Sequence, residues 1–195
     1  MENLESLAAA IRDTSEWLAK PGRQGMIIGG VAFALNARPR LTQDVDATVL
    51  AETGEDEEIE SLTASAAANG LFPRIDNLPS FAAKSLVLLM VHRKSNVEVD
   101  IALGFLPFER EAFSRSRVDT SMGFPVRIPA PEDHIVMKAV ANRPHDWADI
   151  AMITEYQPTL DKPAIMSRMR SFTEILDCPE RLEKLAQVLG VAYEK

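Results

Sequence analysis

The stretch Met26-Ile27-Ile28-Gly29-Gly30-Val31-Ala32-Phe33-Ala34-Leu35-Asn36-Ala37-Arg38-Pro39-Arg40-Leu41-Thr42-Gln43-Asp44-Val45-Asp46 decides how this chain folds. Met26, Ile27 and Ile28 form a short apolar run that predicts a buried strand. The run enters Gly29-Gly30, and Val31 to Ala37 then reads as a helix stopped before Pro39. Val45 to Leu50 reads as a second strand. Two glycines let backbone approach a ligand closely and aim amide N–H groups at it. A helix N-terminus adds a field that favours phosphate. A plain strand-to-helix turn uses the same residues, so the glycine pair alone does not separate the two readings.

The acids that follow narrow the choice. Asp44 and Asp46 are two apart on an expected strand, so both carboxylates project the same way and Val45 and Ala47 face a core. Two acids side by side repel unless a cation sits between them or one takes a proton. A hard divalent cation such as magnesium suits such an all-oxygen set. Solvated surface also accommodates an isolated Asp-x-Asp. Further on, Leu86 to His92 and Val97 to Leu103 flank Arg93-Lys94-Ser95-Asn96, the layout of a β-hairpin. In its second strand Glu98 and Asp100 share one face, and Val97, Val99 and Ile101 share the other. Placed beside Asp44 and Asp46 in the sheet, Asp100 would complete a three-carboxylate metal site. In two-metal phosphoryl chemistry one ion lowers the pKa of the attacking hydroxyl, and the other neutralises the triphosphate and its leaving group. The competing reading of Glu98 and Asp100 is an exposed hairpin edge.

Around this centre the chain is orderly. Glu2 to Ala19 has apolar residues near helical spacing and ends at Pro21-Gly22. The acidic run Glu52 to Glu60 reads as a loop and the first turn of a helix reaching Gly70, where carboxylates favour the helix dipole. Val118 to Met122 and Phe124 to Ile128 suggest a second hairpin around Gly123. Pro131 opens a helix to Arg143, and Pro144 starts another through Ile153. Helical stretches over Lys162 to Ile175 and Pro179 to Leu189 complete the chain. The expected organisation is an α/β core over 1–130 and a helical segment over 131–195.

Composition excludes several classes. Of 195 residues, 46% are hydrophobic and 26% charged, which argues against disorder and coiled coil. A net charge of -8 disfavours non-specific duplex-DNA binding. It permits an acidic enzyme that meets its substrate through a metal. Cys178 is the one cysteine, so neither a disulfide nor a cysteine zinc site is expected. The acidic N-terminus has no signal layout and no apolar run approaches the roughly 20 residues that span a bilayer, so the cytoplasm is the expected location. No P-loop motif is present.

Taken together, these motifs resemble the nucleotidyltransferase superfamily related to DNA polymerase beta. Its signature is an apolar residue, Gly-Gly or Gly-Ser, about a dozen residues, Asp-x-Asp, and a later Asp on a neighbouring strand. Here the match is Ile28-Gly29-Gly30, Asp44-Val45-Asp46 and Asp100. The segments Gly29 to Leu35 and Arg40 to Asp46 look most like the AbiEii-type branch, which holds bacterial nucleotidyltransferase toxins. A second block, Pro131 to Lys138 then Arg143 to Ile150, is similar to the helical block of that branch.

The resemblance implies a mixed α/β fold, a mixed β-sheet with flanking helices followed by a C-terminal helical segment. It implies a magnesium-dependent enzyme with two ions that moves an NMP from an NTP to an acceptor hydroxyl on tRNA, protein or a small molecule. By the same resemblance Asp44 and Asp46 bind both ions and Asp100 the catalytic one, Gly29 and Gly30 cradle phosphates, Lys138 contacts the triphosphate, and Asp146 orients groups nearby. An antitoxin partner is implied as well. From helical spacing, Lys138 shares a stripe with His134, Ala141 and His145 and points into a cleft, while Trp147, Ile150 and Ala151 belong to a core. Arg38 and Arg40 are positioned to reach a phosphate, and Thr42 brings a hydroxyl nearby. Asn36 departs from the glycine frequent in relatives, and the chain after Ile153 is shorter than in the larger toxins. A non-catalytic interaction or nucleotide-sensing relative and a metal-dependent phosphohydrolase are the rival readings.

Overall fold

The strand β2 (Val45–Leu50) pairs in parallel with β5 (Val97–Gly104), and that pairing organises the sheet. The computed structural model describes residues 2–39 and 42–193, with side chains from Leu4 onward. β1 (Gly25–Ile27) lies antiparallel to β2 on one side. β4 (Val87–His92) lies antiparallel to β5 on the other, followed by β3 (Leu71–Pro73) at the edge. The order is β1-β2-β5-β4-β3, a mixed five-stranded sheet. β6 (Arg117–Asp119) and β7 (Val126–Ile128) form a separate two-stranded ribbon turning at Gly123, whose φ is 81°.

Alternation decides which way the strands face. Val45, Ala47, Val99 and Ile101 are buried on the apolar side, and Leu88 and Met90 of β4 join them. The β4–β5 hairpin closes through Asn96 at φ 56°, a conformation asparagine tolerates. Helix α1 (Glu2–Leu18) lays Ala10, Ile11, Trp17 and Leu18 on this core, touching β1, β2, β5 and β7. Burial of a large apolar side chain such as Ile11 or Leu18 contributes about 1.5–3 kcal/mol.

Helix α2 (Gly29–Asn36) begins at the first glycine, two residues earlier than the apolar pattern suggests. Helix α3 (Asp56–Ala67) carries Asp56, Glu57 and Glu58 in its first turn. Glu58 does more than favour the dipole. Its carboxylate accepts N–H bonds from Glu52, Thr53 and Gly54, fixing the loop before the helix. Burial pushes its pKa up, but those donors outweigh it and hold the carboxyl below its ordinary range.

The structure adds elements that the apolar pattern does not mark: β3, α4 (Leu78–Ser85) and α5 (Pro107–Arg115). α6 (Pro131–Ala141), α7 (Pro144–Tyr156), α8 (Lys162–Leu176) and α9 (Pro179–Leu189) complete the chain. The chain divides into two compact units. The first comprises residues 1–32 and 40–128 and holds the sheet and ribbon; the second comprises 33–39 and 129–195. The second unit therefore includes the last turn of α2 besides the four C-terminal helices. Among the described residues no helix is long and apolar enough to cross a membrane.

Candidate functional site

The end of β1 meets the start of β2 at a point only glycine can occupy. Ile28 N–H donates to the carbonyl of Asp46 at 2.8 Å, which draws the following turn onto that strand. Gly29 has φ 60°, in the left-handed region. A Cβ placed on it would lie 1.9 Å from Asp46 Oδ2. Both backbone shape and close approach thus require glycine here. Gly30 follows in the buried first turn of α2.

Asp46 sits directly opposite Asp100 across the parallel pair, between the Val45–Val99 and Ala47–Ile101 rungs. The rungs on either side are buried, so the two carboxylates share the opposite face, where both are half-buried. Asp44 precedes β2 in a bend and is exposed. Its Oδ1 accepts a hydrogen bond from Thr42 Oγ1 at 2.7 Å. Burial pushes the Asp100 carboxyl above its ordinary pKa; Arg74 opposes this, and the negative charges of Glu98 and Asp44 add to it.

Arg74 is a site residue that the sequence pattern missed. Its guanidinium donates to Asp100 Oδ1 at 2.6 Å and also pairs with Glu98. Register explains the meeting. Arg74 N–H bonds the carbonyl of Leu89, and Leu89 lies opposite Asp100. The only sequence signal would have been the short apolar run Leu71-Phe72 beside it, too brief to announce a strand.

These donors suit a hard divalent cation in chemistry: carboxylate oxygens, two on one rung and a third charge near enough to perturb Asp100. Among the described residues, no three His, Cys, Asp or Glu side chains are drawn together as a metal-holding group. Asp44 is turned to Thr42 and Asp100 to Arg74. Arg38 is exposed, and Arg40 lies outside the described residues.

In the second unit Lys138 is buried, and its Nζ donates to Asp149 Oδ2 at 2.7 Å and Asp146 Oδ1 at 3.3 Å. Asp146 also accepts from the backbone N–H and Nε of Arg143, at 3.1 and 2.8 Å. Burial alone would raise the Asp146 carboxyl, but these bonds and the Lys138 charge hold it below its ordinary range. The single polar stripe expected on α6 is not what forms, because His134 is as buried as Ile135 and Val136. Trp147 and Ile150 are core residues, but Ala151 is exposed.

His134 stays neutral, its pKa pushed down to about 3 by burial first and by the Lys138 charge second. Asn36 Nδ2 lies 3.2 Å from His134 Nδ1 and 3.3 Å from the Pro129 carbonyl. A carbonyl only accepts, so Asn36 is the donor to both and the ring proton sits on Nε2. Gln157 Nε2 donates to the Asn36 carbonyl at 2.7 Å. Asparagine at position 36 is thus a tie within the helical unit, work that glycine has no side chain to perform.

Comparisons with known proteins bear on the family and the fold. The family described as nucleotidyl transferase AbiEii toxin of a type IV toxin–antitoxin system matches residues 24–186. No curated protein matches the chain. Among solved structures, an antigenic nucleotidyltransferase-like protein from Paracoccidioides brasiliensis aligns with TM-score 0.54 at 13% identity, covering 92% of this chain and 93% of its own. The antibiotic-resistance factor ANT(2'')-Ia aligns with TM-score 0.58 at 17% identity, covering 92% and 97%. Those identities speak to the fold alone.

Proposed function

The chain belongs to the AbiEii family of nucleotidyl transferases, and we propose that it moves a nucleoside monophosphate from an NTP to an acceptor hydroxyl at the centre formed by Asp44, Asp46 and Asp100. The observation that carries this reading is the Asp46–Asp100 rung with Gly29 pressed against Asp46. Two half-buried carboxylates on one rung concentrate negative charge, with backbone closed against one of them. The arrangement suits a phosphate-bearing ligand held through a cation.

Asp44 and Asp46 would hold both magnesium ions, and Asp100 the one nearer the acceptor. Magnesium bound there supplies polarisation of the hydroxyl and neutralisation of the triphosphate. Loading requires Asp44 to turn from Thr42, and Asp100 to share Oδ1 with Arg74 or release it. Gly29 and Gly30 offer backbone N–H groups to the phosphates at the start of α2. Thr42, which donates to Asp44, is assigned to substrate binding, and Arg40 is assigned to it from its place in the sequence alone. In the transfer, the acceptor oxygen bonds to the α-phosphorus. The bond from that phosphorus to the bridging oxygen breaks, and pyrophosphate leaves with the electron pair. The hydroxyl proton passes to Asp100, the carboxylate that this reading places nearest the acceptor oxygen. Lys138 and Asp146 belong to the proposal by the family resemblance, and Lys138 Nζ would have to leave Asp149 to take a phosphate.

The toxin role is part of the same proposal. Transfer onto a shared cytoplasmic acceptor, a tRNA end or a protein side chain, would arrest growth until an antitoxin restrains it. The test uses purified protein, magnesium and cell extract with NTP labelled at either the α or the γ phosphate. Label from the α position on RNA, protein or a small acceptor supports transfer. Release of γ label as free phosphate without any labelled acceptor supports a phosphohydrolase instead. Neither product, with no magnesium-dependent nucleotide binding, overturns both.

A further inference from the structure

A second cleft lies at the other end of β1 from the glycine turn. It has a volume of about 320 Å³ and is walled by α1, the loop before β1, α5 and the β6–β7 ribbon. Gly25 at the start of β1 lines it, whereas Gly29 follows the end of that strand. At roughly 3.3 Å per strand residue, the two places are about 13 Å apart along the backbone. All of its lining belongs to the first unit.

Three arginines enter the cleft: Arg12, Arg23 and Arg127. The protein as a whole is acidic, with a net charge of -8, yet Glu16 is the one acid in this wall. Among the described residues no carboxylate lies within ion-pair distance of any of the three. Arg23 donates instead to the Trp17 carbonyl at 2.8 Å and Ser65 Oγ at 3.0 Å, and Arg127 to Ser116 Oγ at 2.9 Å. Each guanidinium is held by an aromatic ring. Arg12 lies 4.8 Å from the Phe124 centroid, Arg127 5.2 Å from Phe113 and Arg23 4.3 Å from Trp17. Ser15, only 7% exposed, also lines the cleft, and its hydroxyl has no hydrogen-bond partner.

Cation, ring and orphaned hydroxyl together describe a ligand. Unpaired guanidiniums bind phosphate through forked hydrogen bonds. Phenyl rings and guanidinium planes stack against nucleobases. A buried hydroxyl without a partner suits the polar edge of a base or sugar. We infer that this cleft is a nucleotide-binding site separate from the carboxylate centre, taking a phosphate on Arg12 and Arg127 and a base against Phe113 and Phe124. The nucleotide is either free in solution or part of a single-stranded RNA; the recognised chemistry is the same. The site does not depend on the transfer reading, since it needs neither the acids nor a metal.

The full chain carrying Asp46→Asn is titrated in EDTA with AMP, adenosine and inorganic phosphate, and with a short single-stranded oligoribonucleotide. Binding of AMP roughly tenfold or more tighter than adenosine and than phosphate is expected. Arg12→Gln, an exposed change on α1, should weaken AMP by about tenfold at unaltered melting temperature, and Arg127→Gln by at least as much. Phe124→Leu should weaken AMP but not phosphate. An oligonucleotide that binds tighter than AMP assigns the site to a strand, and one that does not assigns it to the free nucleotide; both support the site. AMP binding unchanged in Arg12→Gln and Arg127→Gln, or AMP no tighter than phosphate, overturns it. Because the titration is run in EDTA with Asp46 replaced, its failure leaves the transfer reading untouched, and failure of transfer leaves the titration intact.

Discussion

At the scale of single residues, two atoms bear most of the weight. Gly29 admits neither a Cβ nor an ordinary side-chain conformation, because Asp46 Oδ2 stands 1.9 Å from where that carbon would be. Gly29→Ala forces a shift of backbone or carboxylate and should cost about 1–3 kcal/mol of stability. Transfer should fall far more than stability does, and parallel urea melts and label-transfer assays compare the two losses. The second atom is the buried ring nitrogen of His134. Its folded pKa of about 3 lies below the ordinary 6.5, so between those values only the unfolded chain takes up the proton. Stability is therefore fully present above pH 6.5 and declines as pH falls from there toward 3. His134→Gln should flatten that part of the pH dependence of the urea midpoint. An unchanged slope would mean that the ring is not held neutral.

At the scale of elements, legibility follows from how much of an element faces the core. β2 spans Val45–Leu50 as its alternation predicts, and the Leu86-to-Leu103 hairpin forms around the expected turn. Clean alternation fixed the faces of Asp46 and Asp100, whereas their adjacency was an expectation of the family resemblance and is seen in the β2–β5 pairing. α5 could not be read this way: only Ala112 along it is buried, so no apolar period exists. Its signal is local instead, Pro107 at the first turn and the Glu109 carboxylate accepting the Leu106 N–H at 2.8 Å. α4 was hidden for another reason. It ends at Leu86 with φ 57°, a left-handed cap without the glycine that normally marks one. The loss of α4 and β3 from the sequence reading is why Arg74 went unseen. Its pairing with Asp100 has a measurable consequence. Arg74→Met leaves Glu98 and Asp100 without their guanidinium, so the melting temperature should drop in EDTA. Millimolar magnesium should restore much of that loss by supplying the missing charge. Equal loss with and without magnesium would separate Arg74 from the metal site.

At the scale of the whole molecule, the family match over 24–186 takes in both the sheet and most of the helical unit. The motifs around the two glycines and three acids could be read because they lie on regular elements. The inward ion pairs of Lys138 could not, because a helical stripe does not say which of its residues a neighbouring helix will cover. Production of the native chain in a bacterial host should slow growth, and Asp46→Asn should relieve it at equal protein level. Growth arrest that persists in Asp46→Asn would mean that harm comes from something other than transfer.

The most direct test is transfer of α-phosphate label by purified protein carrying Asp46→Asn, Asp100→Asn or Glu98→Gln. Glu98 shares a face and an arginine with Asp100 but lies outside the proposed metal set. The account predicts loss of roughly a thousandfold or more for the two aspartate variants, about 4 kcal/mol of barrier, with Glu98→Gln within about tenfold of the native protein. Transfer that survives in Asp46→Asn and Asp100→Asn, or that falls equally in all three, would contradict it.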